Sequence, residues 1–226
     1  MRNDTKTTRV ARLVPLLVLT GLAGCFSLGR VEPPQQHYVL GGGRTGEGLE
    51  PSAALAGVGI GVRRLRLASY LEPPFLVVRE GPHRIRYAEF HRWGERLGGG
   101  IERALAGYLS ARAPFRSVDV APWPAGESYD YLIQIHVERF EGLTSEDPGT
   151  AEGEVHVLAS WEIIRQQDET VLARGTTDYR RPGWTPGDHA GLVSLLDAGI
   201  EVLSADLAAG LEKLVALKAD DGGGGA

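Results

Sequence analysis

The only cysteine of the chain is the residue best placed for covalent chemistry. Cys25 directly follows Leu22-Ala23-Gly24, so two small residues precede its thiol. A single cysteine excludes an intramolecular disulfide framework and a zinc site built from several cysteines. The thiol of Cys25 is therefore free for attachment of another group.

Other residue types that serve in catalysis form no recognisable motif. The sequence has no G-x-S-x-G nucleophile elbow, no Walker phosphate loop and no H-E-x-x-H pair. Gly57, Gly59 and Gly61 alternate with apolar residues inside a strand pattern, whereas a dinucleotide loop would open a helix. They predict a bare strand face on which a helix or a neighbouring backbone packs closely. We predict a protein that is not an enzyme and has no cofactor.

Two histidines, His136 and His156, give the best metal hypothesis. Each lies on the polar face of a predicted strand near a glutamate, Glu138 or Glu154. These four side chains could hold zinc if the two strands were neighbours in register. A solvated sheet face has the same composition, and we predict no metal site.

The residues before Cys25 have the three-part pattern of a secretory signal. A basic stretch ends at Arg12, an apolar run follows, and small residues precede the cysteine. The apolar run from Leu13 to Gly24 has 12 residues, fewer than the roughly 20 that a transmembrane helix needs. We predict a signal peptide over residues 1–24, cleaved between Gly24 and Cys25.

The segment Leu22-Ala23-Gly24-Cys25 resembles the lipobox of bacterial lipoproteins. The resemblance implies that the Cys25 thiol receives a diacylglyceryl group and that its amine is acylated, with palmitate, after cleavage. Two or three acyl chains anchor a protein stably, whereas one binds marginally. An aspartate after the cysteine usually keeps such lipoproteins on the inner membrane, so Phe26 implies the outer membrane and a periplasmic domain. The alternative is that Cys25 is a small apolar residue of an ordinary signal peptide or buried helix.

Length and composition predict one globular domain. The 226 residues are 42% hydrophobic and 23% charged. Residues 1–24 have a net charge of +3, so the remainder has −8 where the whole chain has −5, which argues against nucleic-acid binding. We predict a lipidated tether over 25–36, a folded domain over 37–217 and a disordered glycine-rich tail over 218–226.

Apolar spacing predicts the order of helices and strands. One helix is expected from about His91 to Arg112, with a kink at its central Gly98-Gly99-Gly100, and a second is expected after the capping residue Asp188. The order predicts a two-layer α+β domain, with two long helices on a mainly antiparallel or mixed sheet of about seven or eight strands. A weak internal duplication is an open alternative. Strands are predicted at His37–Leu40, 58–67, Phe75–Arg79, Arg84–Tyr87, Ser117–Val120, 129–138, 154–163 and Thr170–Tyr179.

Several segments in order resemble the PqiC-like family of ABC-type transport auxiliary lipoproteins. The resemblance implies a non-catalytic auxiliary subunit of an ABC/MCE-type system for lipid transport and membrane integrity. Its expected partners are an MCE-type periplasmic lipid-binding protein and the associated ABC transporter, with a homo-oligomer as an open alternative. The resembling segments are the lipobox, His37–Leu40, Ser69–Gly81, Ala88–Leu97 and Tyr131–Gly142.

Tyr70, Leu71, Phe75 and Arg79 are predicted to contact a partner. Two prolines between Leu71 and Phe75 hold this segment extended, and tyrosine and arginine are enriched at interface hot spots. Truncation of Tyr70 or Arg79 is expected to weaken binding with little loss of stability. Phe75 could instead begin the core side of a strand. The alternative functions are a lipid carrier or lipopolysaccharide-assembly lipoprotein with its own apolar cavity, and a wall-binding lipoprotein.

Overall fold

The computed structural model describes residues 33–42, 51–144 and 152–222. The chain divides after Pro34, and the architecture below is that of the part from Gln35 onward. Gly24, Cys25 and Phe26 lie outside the described residues, so the cleavage, lipidation and sorting sites stay predictions.

The described residues form one mixed sheet of nine strands with two helices on one of its faces. We call the helix-covered face the inner face and the opposite face the outer face. This arrangement confirms the predicted two-layer α+β class, with more strands than the seven or eight expected. The strands are β1 (Gln36–Tyr38), β2 (Gly59–Val62), β3 (Arg66–Leu67), β4 (Phe75–Glu80), β5 (Arg84–Trp93), β6 (Ser117–Val120), β7 (Tyr131–Thr144), β8 (Gly153–Arg165) and β9 (Val171–Trp184), and the helices are α1 (Leu97–Arg112) and α2 (His189–Gly222).

The central strand of the sheet is β7. Along one edge it pairs in parallel with β2, then β3, then β4, and along the other edge it pairs antiparallel with β8. β9 continues the sheet beyond β8, β5 and β1 continue it beyond β4, and β6 continues it beyond β2. Paired residues on the first edge are Ile60 with Tyr131, Leu67 with Val137 and Val78 with Gly142.

A bulge in β7 reverses which side chains face the helices. Between Val137 and Arg139 the register with β8 shifts, so Glu138 is the extra residue. Before the bulge odd-numbered residues such as Val137 are buried against the inner layer, and after it Phe140 is buried there. The same shift turns Glu141 to the outer face.

Apolar stripes hold both helices against the sheet. The α2 stripe includes Leu196, Ile200 and Leu207, none more than 1% exposed. Asp188 caps α2 as predicted, since its Oδ1 accepts a hydrogen bond from the backbone N–H of Gly191 at 2.9 Å. The helix continues to Gly222, so it includes residues that the sequence assigned to the tail. No helix within the described ranges is long and apolar enough to cross a bilayer.

The predicted start of α1 was wrong. Residues 91–93 belong to β5, where they pair in parallel with β1, and the helix begins at Leu97. Trp93 ends a strand, although its spacing from Leu97 resembles a helical stripe. Gly98-Gly99-Gly100 therefore lies in the first turn of α1 and not at its middle.

The strand predicted over residues 58–67 is interrupted. β2 ends at Val62 and β3 begins at Arg66, and both pair with β7. Side chains, not a helix or backbone, cover the glycine face. A Cβ on Gly61 would lie 2.8 Å from Leu132 Cδ2 and 3.0 Å from Tyr129 Cδ2.

Candidate functional site

Three of the four residues predicted to contact a partner meet on the outer face of β4 and β5. The turn Ser69–Leu71 places the Tyr70 ring 5.6 Å from the guanidinium carbon of Arg79. The Tyr70 hydroxyl donates a hydrogen bond to the Glu138 carbonyl at 3.0 Å. Burial, together with the carboxylate of Glu141, raises the pKa of Tyr70, so the hydroxyl stays protonated.

Two residues of β5 complete this surface. The Tyr87 ring lies 5.8 Å from the Phe75 ring, and the Tyr87 hydroxyl donates to the Tyr70 carbonyl at 3.0 Å. The Arg92 guanidinium carbon lies 4.7 Å from the centroid of the Phe75 ring, within cation–π range. All of these side chains are half-buried. We call Tyr70, Phe75, Arg79, Tyr87 and Arg92 the aromatic–arginine patch.

Leu71 does not belong to the patch. Its side chain is 0% exposed and packs in the main core. Its side chain anchors the turn Ser69–Leu71 to the core and is not accessible to a partner.

The two arginines of the patch differ in their charge partners. Arg79 donates from Nε to Glu141 Oε1 at 2.5 Å and from Nη2 to Glu141 Oε2 at 3.3 Å. This two-bond contact is the main cause that raises the pKa of Arg79. Arg92 has no ion pair within the described residues, and its Nε there has no hydrogen-bond partner. Among the described residues, Arg79 therefore has a carboxylate partner and Arg92 has none.

A charged cluster under the patch extends across the outer face. Glu141 is 0% exposed and also accepts from Arg139 Nη1 at 3.1 Å. Opposite it on β8, His156 is 1% exposed, with its Nε2 2.8 Å from Asp178 Oδ1 on β9. Burial first, and then the charge of Arg180, lower the pKa of His156. Charged hydrogen bonds thus join β4 to β7 through Arg79 and Glu141, and a separate hydrogen bond joins β8 to β9 through His156 and Asp178.

The zinc arrangement considered from the sequence does not form. His136 pairs with Ser160 and His156 pairs with Glu141, so the two histidines lie at different levels of β7 and β8. Glu154 makes an ion pair with Arg180 at 3.7 Å. In the described part of the chain, no three His, Cys, Asp or Glu side chains are grouped to hold a metal ion.

The grooves of the described surface have mixed polar walls. A groove of about 520 Å³ beside the start of α1 is lined by Arg64, Glu72, Arg96 and Glu102 as well as by leucines. A second, of about 430 Å³ on the outer face, includes Arg66. A third, of about 470 Å³ near the end of α2, includes charged side chains as well. None of these three has the predominantly apolar lining that an acyl chain requires.

Sequence reasoning missed Tyr87, Arg92 and Glu141 as members of the site. Tyr87 and Arg92 face the patch because β5 pairs with β4, with Val77 opposite Tyr87 and Phe75 opposite Arg92. The predicted hairpin was the available signal for Tyr87, since its register places that residue opposite Val77. Arg92 gave no signal, because it fell in the predicted helix and lies opposite Phe75 only through the register shift between Phe75 and Leu76. Glu141 gave no signal, because its burial depends on the bulge at Glu138.

Two solved structures share this fold. A Xanthomonas campestris protein of family DUF330 superposes with a TM-score of 0.63 at 16% identity, over 76% of this chain and 94% of that chain. An uncharacterised protein superposes with a TM-score of 0.56 at 17% identity, over 79% of this chain and 99% of that chain. At these identities the likeness concerns the fold alone.

Sequence comparison identifies the family. No curated protein matches the chain significantly. The family model of the ABC-type transport auxiliary lipoprotein component matches residues 38–208, which include every strand from β2 to β9, α1 and most of α2. The match covers more than half of the 226 residues. The chain therefore belongs to the ABC-type transport auxiliary lipoprotein family, as the sequence resemblance indicated.

Proposed function

We propose that this auxiliary lipoprotein is an outer-membrane-anchored adaptor, which binds an MCE-type periplasmic lipid-binding subunit of an ABC system through the aromatic–arginine patch. In this proposal Cys25 holds the lipid anchor and Phe26 permits sorting to the outer membrane. The domain contributes a binding surface and no catalysis.

The arrangement of the patch is the observation that supports this proposal. Half-buried tyrosine, phenylalanine and arginine on a rigid sheet face are the residue types that dominate interface energies. Arg92 adds a positive charge without an ion-pair partner in the described residues, so the patch suits a partner surface that offers a carboxylate beside apolar side chains. The buried pair of Arg79 and Glu141 holds Tyr70 and β4 in place beneath it.

The adaptor proposal is tested by co-purification of the full-length lipoprotein extracted in detergent, with mass spectrometry of bound proteins and lipids. Arg92→Ala removes the guanidinium that lies over the Phe75 ring and leaves the pair of Arg79 and Glu141 intact. We expect wild-type protein to retain an MCE-type subunit and Arg92→Ala to lose most of it. The matched control is Arg64→Ala, which removes an exposed arginine beside the groove at α1.

Two outcomes would contradict the proposal. Equal retention of the subunit by wild type and Arg92→Ala would show that the patch is not the docking surface. A stoichiometric lipid with no protein partner would favour the carrier function instead. Thermal unfolding of each variant shows whether a loss of binding reflects a loss of folding.

A further inference from the structure

The edge of β9 that lies away from β8 is unpaired in the described part of the chain. This strand of 14 residues pairs with β8 alone. Arg174, Thr176 and Asp178 alternate along its outer face and are exposed. An edge strand of this length presents a row of backbone N–H and C=O groups that another strand can pair with. Pro182 and Gly183 restrict such pairing to the part of β9 before residue 182.

A seam of apolar residues, three of them alanines, runs along the exposed side of α2. The seam consists of Leu195, Ala198, Val202, Ala205 and Ala209, with the alternating spacing of three and four residues found at helix–helix contacts. Val202 is 37% exposed, one of few large hydrophobic side chains that the described surface leaves open. The other members are half-buried or exposed.

Hydrogen bonds fix which side of α2 the seam occupies. Asp197 accepts from Tyr108 of α1, and Asp206 accepts from Thr177 of β9 at 2.6 Å. At about 100° per residue, Val202 lies about 140° around the helix from Asp197 and about 40° from Asp206. Val202 therefore lies on the side of α2 away from α1 and toward β9, and Leu195, about 20° from Asp206, lies on the same side.

The charges of β9 are complementary to themselves about Thr176. If two copies of β9 pair antiparallel with Thr176 opposite Thr176, then Arg174 of each lies opposite Asp178 of the other. Opposite charges directly across a strand pair stabilise it, and this register makes two such pairs. They would add to the contacts within each copy, where Arg174 donates to Glu162 at 2.7 Å and Asp178 lies 2.8 Å from His156 Nε2. If the two strands paired about residue 177 instead, Arg174 of one copy would lie opposite Arg180 of the other. If they paired about residue 178, the two Asp178 residues would lie opposite each other. Both of these registers place like charges together.

We propose that β9 and the α2 seam form a two-fold interface with a second copy of this chain. The two β9 strands pair about Thr176 and continue one sheet through both copies, while the α2 seams pack against each other on the inner face. Such an interface is isologous, because the same residues meet from both sides. It is separate from the aromatic–arginine patch and does not depend on the adaptor proposal.

The proposal is tested by disulfide cross-linking of the full-length lipoprotein in isolated membranes. In the proposed register, Thr176→Cys brings two sulfur atoms within reach of one another, because directly paired residues have Cα atoms about 4.5–5.5 Å apart. We expect a band of twice the chain mass on a non-reducing gel. Arg174→Cys is the matched control on the same face, since its two copies would lie about 14 Å apart along the strand and should stay uncrosslinked.

A second substitution tests the helix contact. Val202→Glu in the Thr176→Cys chain places two carboxylates in the seam and should abolish the cross-linked band, with thermal unfolding unchanged because Val202 is partly exposed in a single copy. Absence of a band for Thr176→Cys, or a band that persists at full strength with Val202→Glu, would overturn the proposal. A cross-linked product of another mass would show that a different protein occupies the edge, which would also overturn it.

Discussion

Arg79 Nε lies 2.5 Å from Glu141 Oε1, and Glu141 is 0% exposed although it lies on the sheet face opposite the helices. The Arg79 side chain is itself only 15% exposed. A buried carboxylate tolerates this position because two guanidinium nitrogens and Arg139 satisfy its oxygens. Arg79 therefore stabilises the fold beneath the patch, whereas the sequence analysis expected its truncation to cause little loss of stability.

Arg79→Ala should destabilise the protein strongly. The substitution leaves the Glu141 charge buried without its main partner, a change that typically costs about 3–5 kcal/mol. Urea unfolding monitored by circular dichroism measures the effect. Arg165→Ala is the control, because Arg165 and Asp168 form a solvent-exposed ion pair, a kind that contributes little to stability. Similar unfolding midpoints for both variants would mean that Glu141 is not held as described.

Substitution by alanine should change the free energy of unfolding in opposite directions at two glycines of the helices. A Cβ on Gly199 would lie 2.6 Å from Val157 Cγ2 and 2.9 Å from Tyr179 Cδ1, so Gly199→Ala should separate α2 from the sheet and cost about 1–3 kcal/mol. A Cβ on Gly99 meets nothing within 4 Å, so Gly99→Ala should stabilise α1 by about 0.4–1 kcal/mol. Melting temperatures give the two signs. A loss of stability for Gly99→Ala would show that the space around Gly99 at the start of α1 is not open as described.

Acid should destabilise the fold through two histidines. Burial lowers the pKa of His156 and of His189, whose ring also stacks on His91 with centroids 3.6 Å apart. The unfolded chain binds protons below its histidine pKa of about 6.5, before the folded protein does. The contribution of these two histidines to the free energy of unfolding is therefore fully present above about pH 6.5. It is lost as the pH decreases toward the lowered pKa values of the folded protein.

The measurement is the melting temperature between about pH 7.5 and about pH 5.5, compared with His156→Gln. The variant lacks one of the two titrating groups, so its melting temperature should change less over this range even if its value at neutral pH is lower. An equal slope for both proteins would show that His156 is not the responsible group.

Cys25→Ala should abolish lipid attachment. Without the thiol no diacylglyceryl group can be added, so the variant should remain uncleaved or become soluble. Intact-mass spectrometry and membrane fractionation measure both effects. Wild-type protein with no acyl mass, together with membrane association of the variant, would disprove the predicted anchor.

Phe26→Asp should move the protein to the inner membrane. The prediction follows from the role of an aspartate at this place in the lipoproteins that the N-terminus resembles. Density-gradient fractions of the two membranes, probed for wild type and variant, measure the distribution. Wild-type protein already in the inner membrane would contradict the proposed location of the adaptor.

Local patterns were sufficient for most strands and for the capping of α2. Alternation predicted the cores of β7 and β8, because one face of each is buried over several residues. The same reasoning failed at Trp93, where four-residue spacing to Leu97 resembles a helix. Residues 91–93 stay extended because they pair with β1, more than 50 residues earlier in the chain. A local sequence window does not contain that partner.

The aromatic–arginine patch was predictable only in part, because local sequence reveals its residue types but not its burial. Tyr70, Phe75 and Arg79 lie close together in sequence, and their residue types indicated an interface. The burial of Leu71 and of Glu141 depends on the core below the turn and on the bulge at Glu138. Both arise from packing between distant segments, which residue types alone do not reveal.

The pairing of β2, β3 and β4 along one edge of β7 sets an order of events during synthesis. Ile60 pairs with Tyr131 and Val78 with Gly142, so these strands wait for partners that are translated about 60–70 residues later. Among the described strands, β3 pairs with β7 alone. A nascent chain that ends before residue 131 therefore exposes apolar strand edges without their central partner, and such chains are prone to aggregate. Cooperative folding of this domain must therefore wait until β7, Tyr131–Thr144, is available to pair.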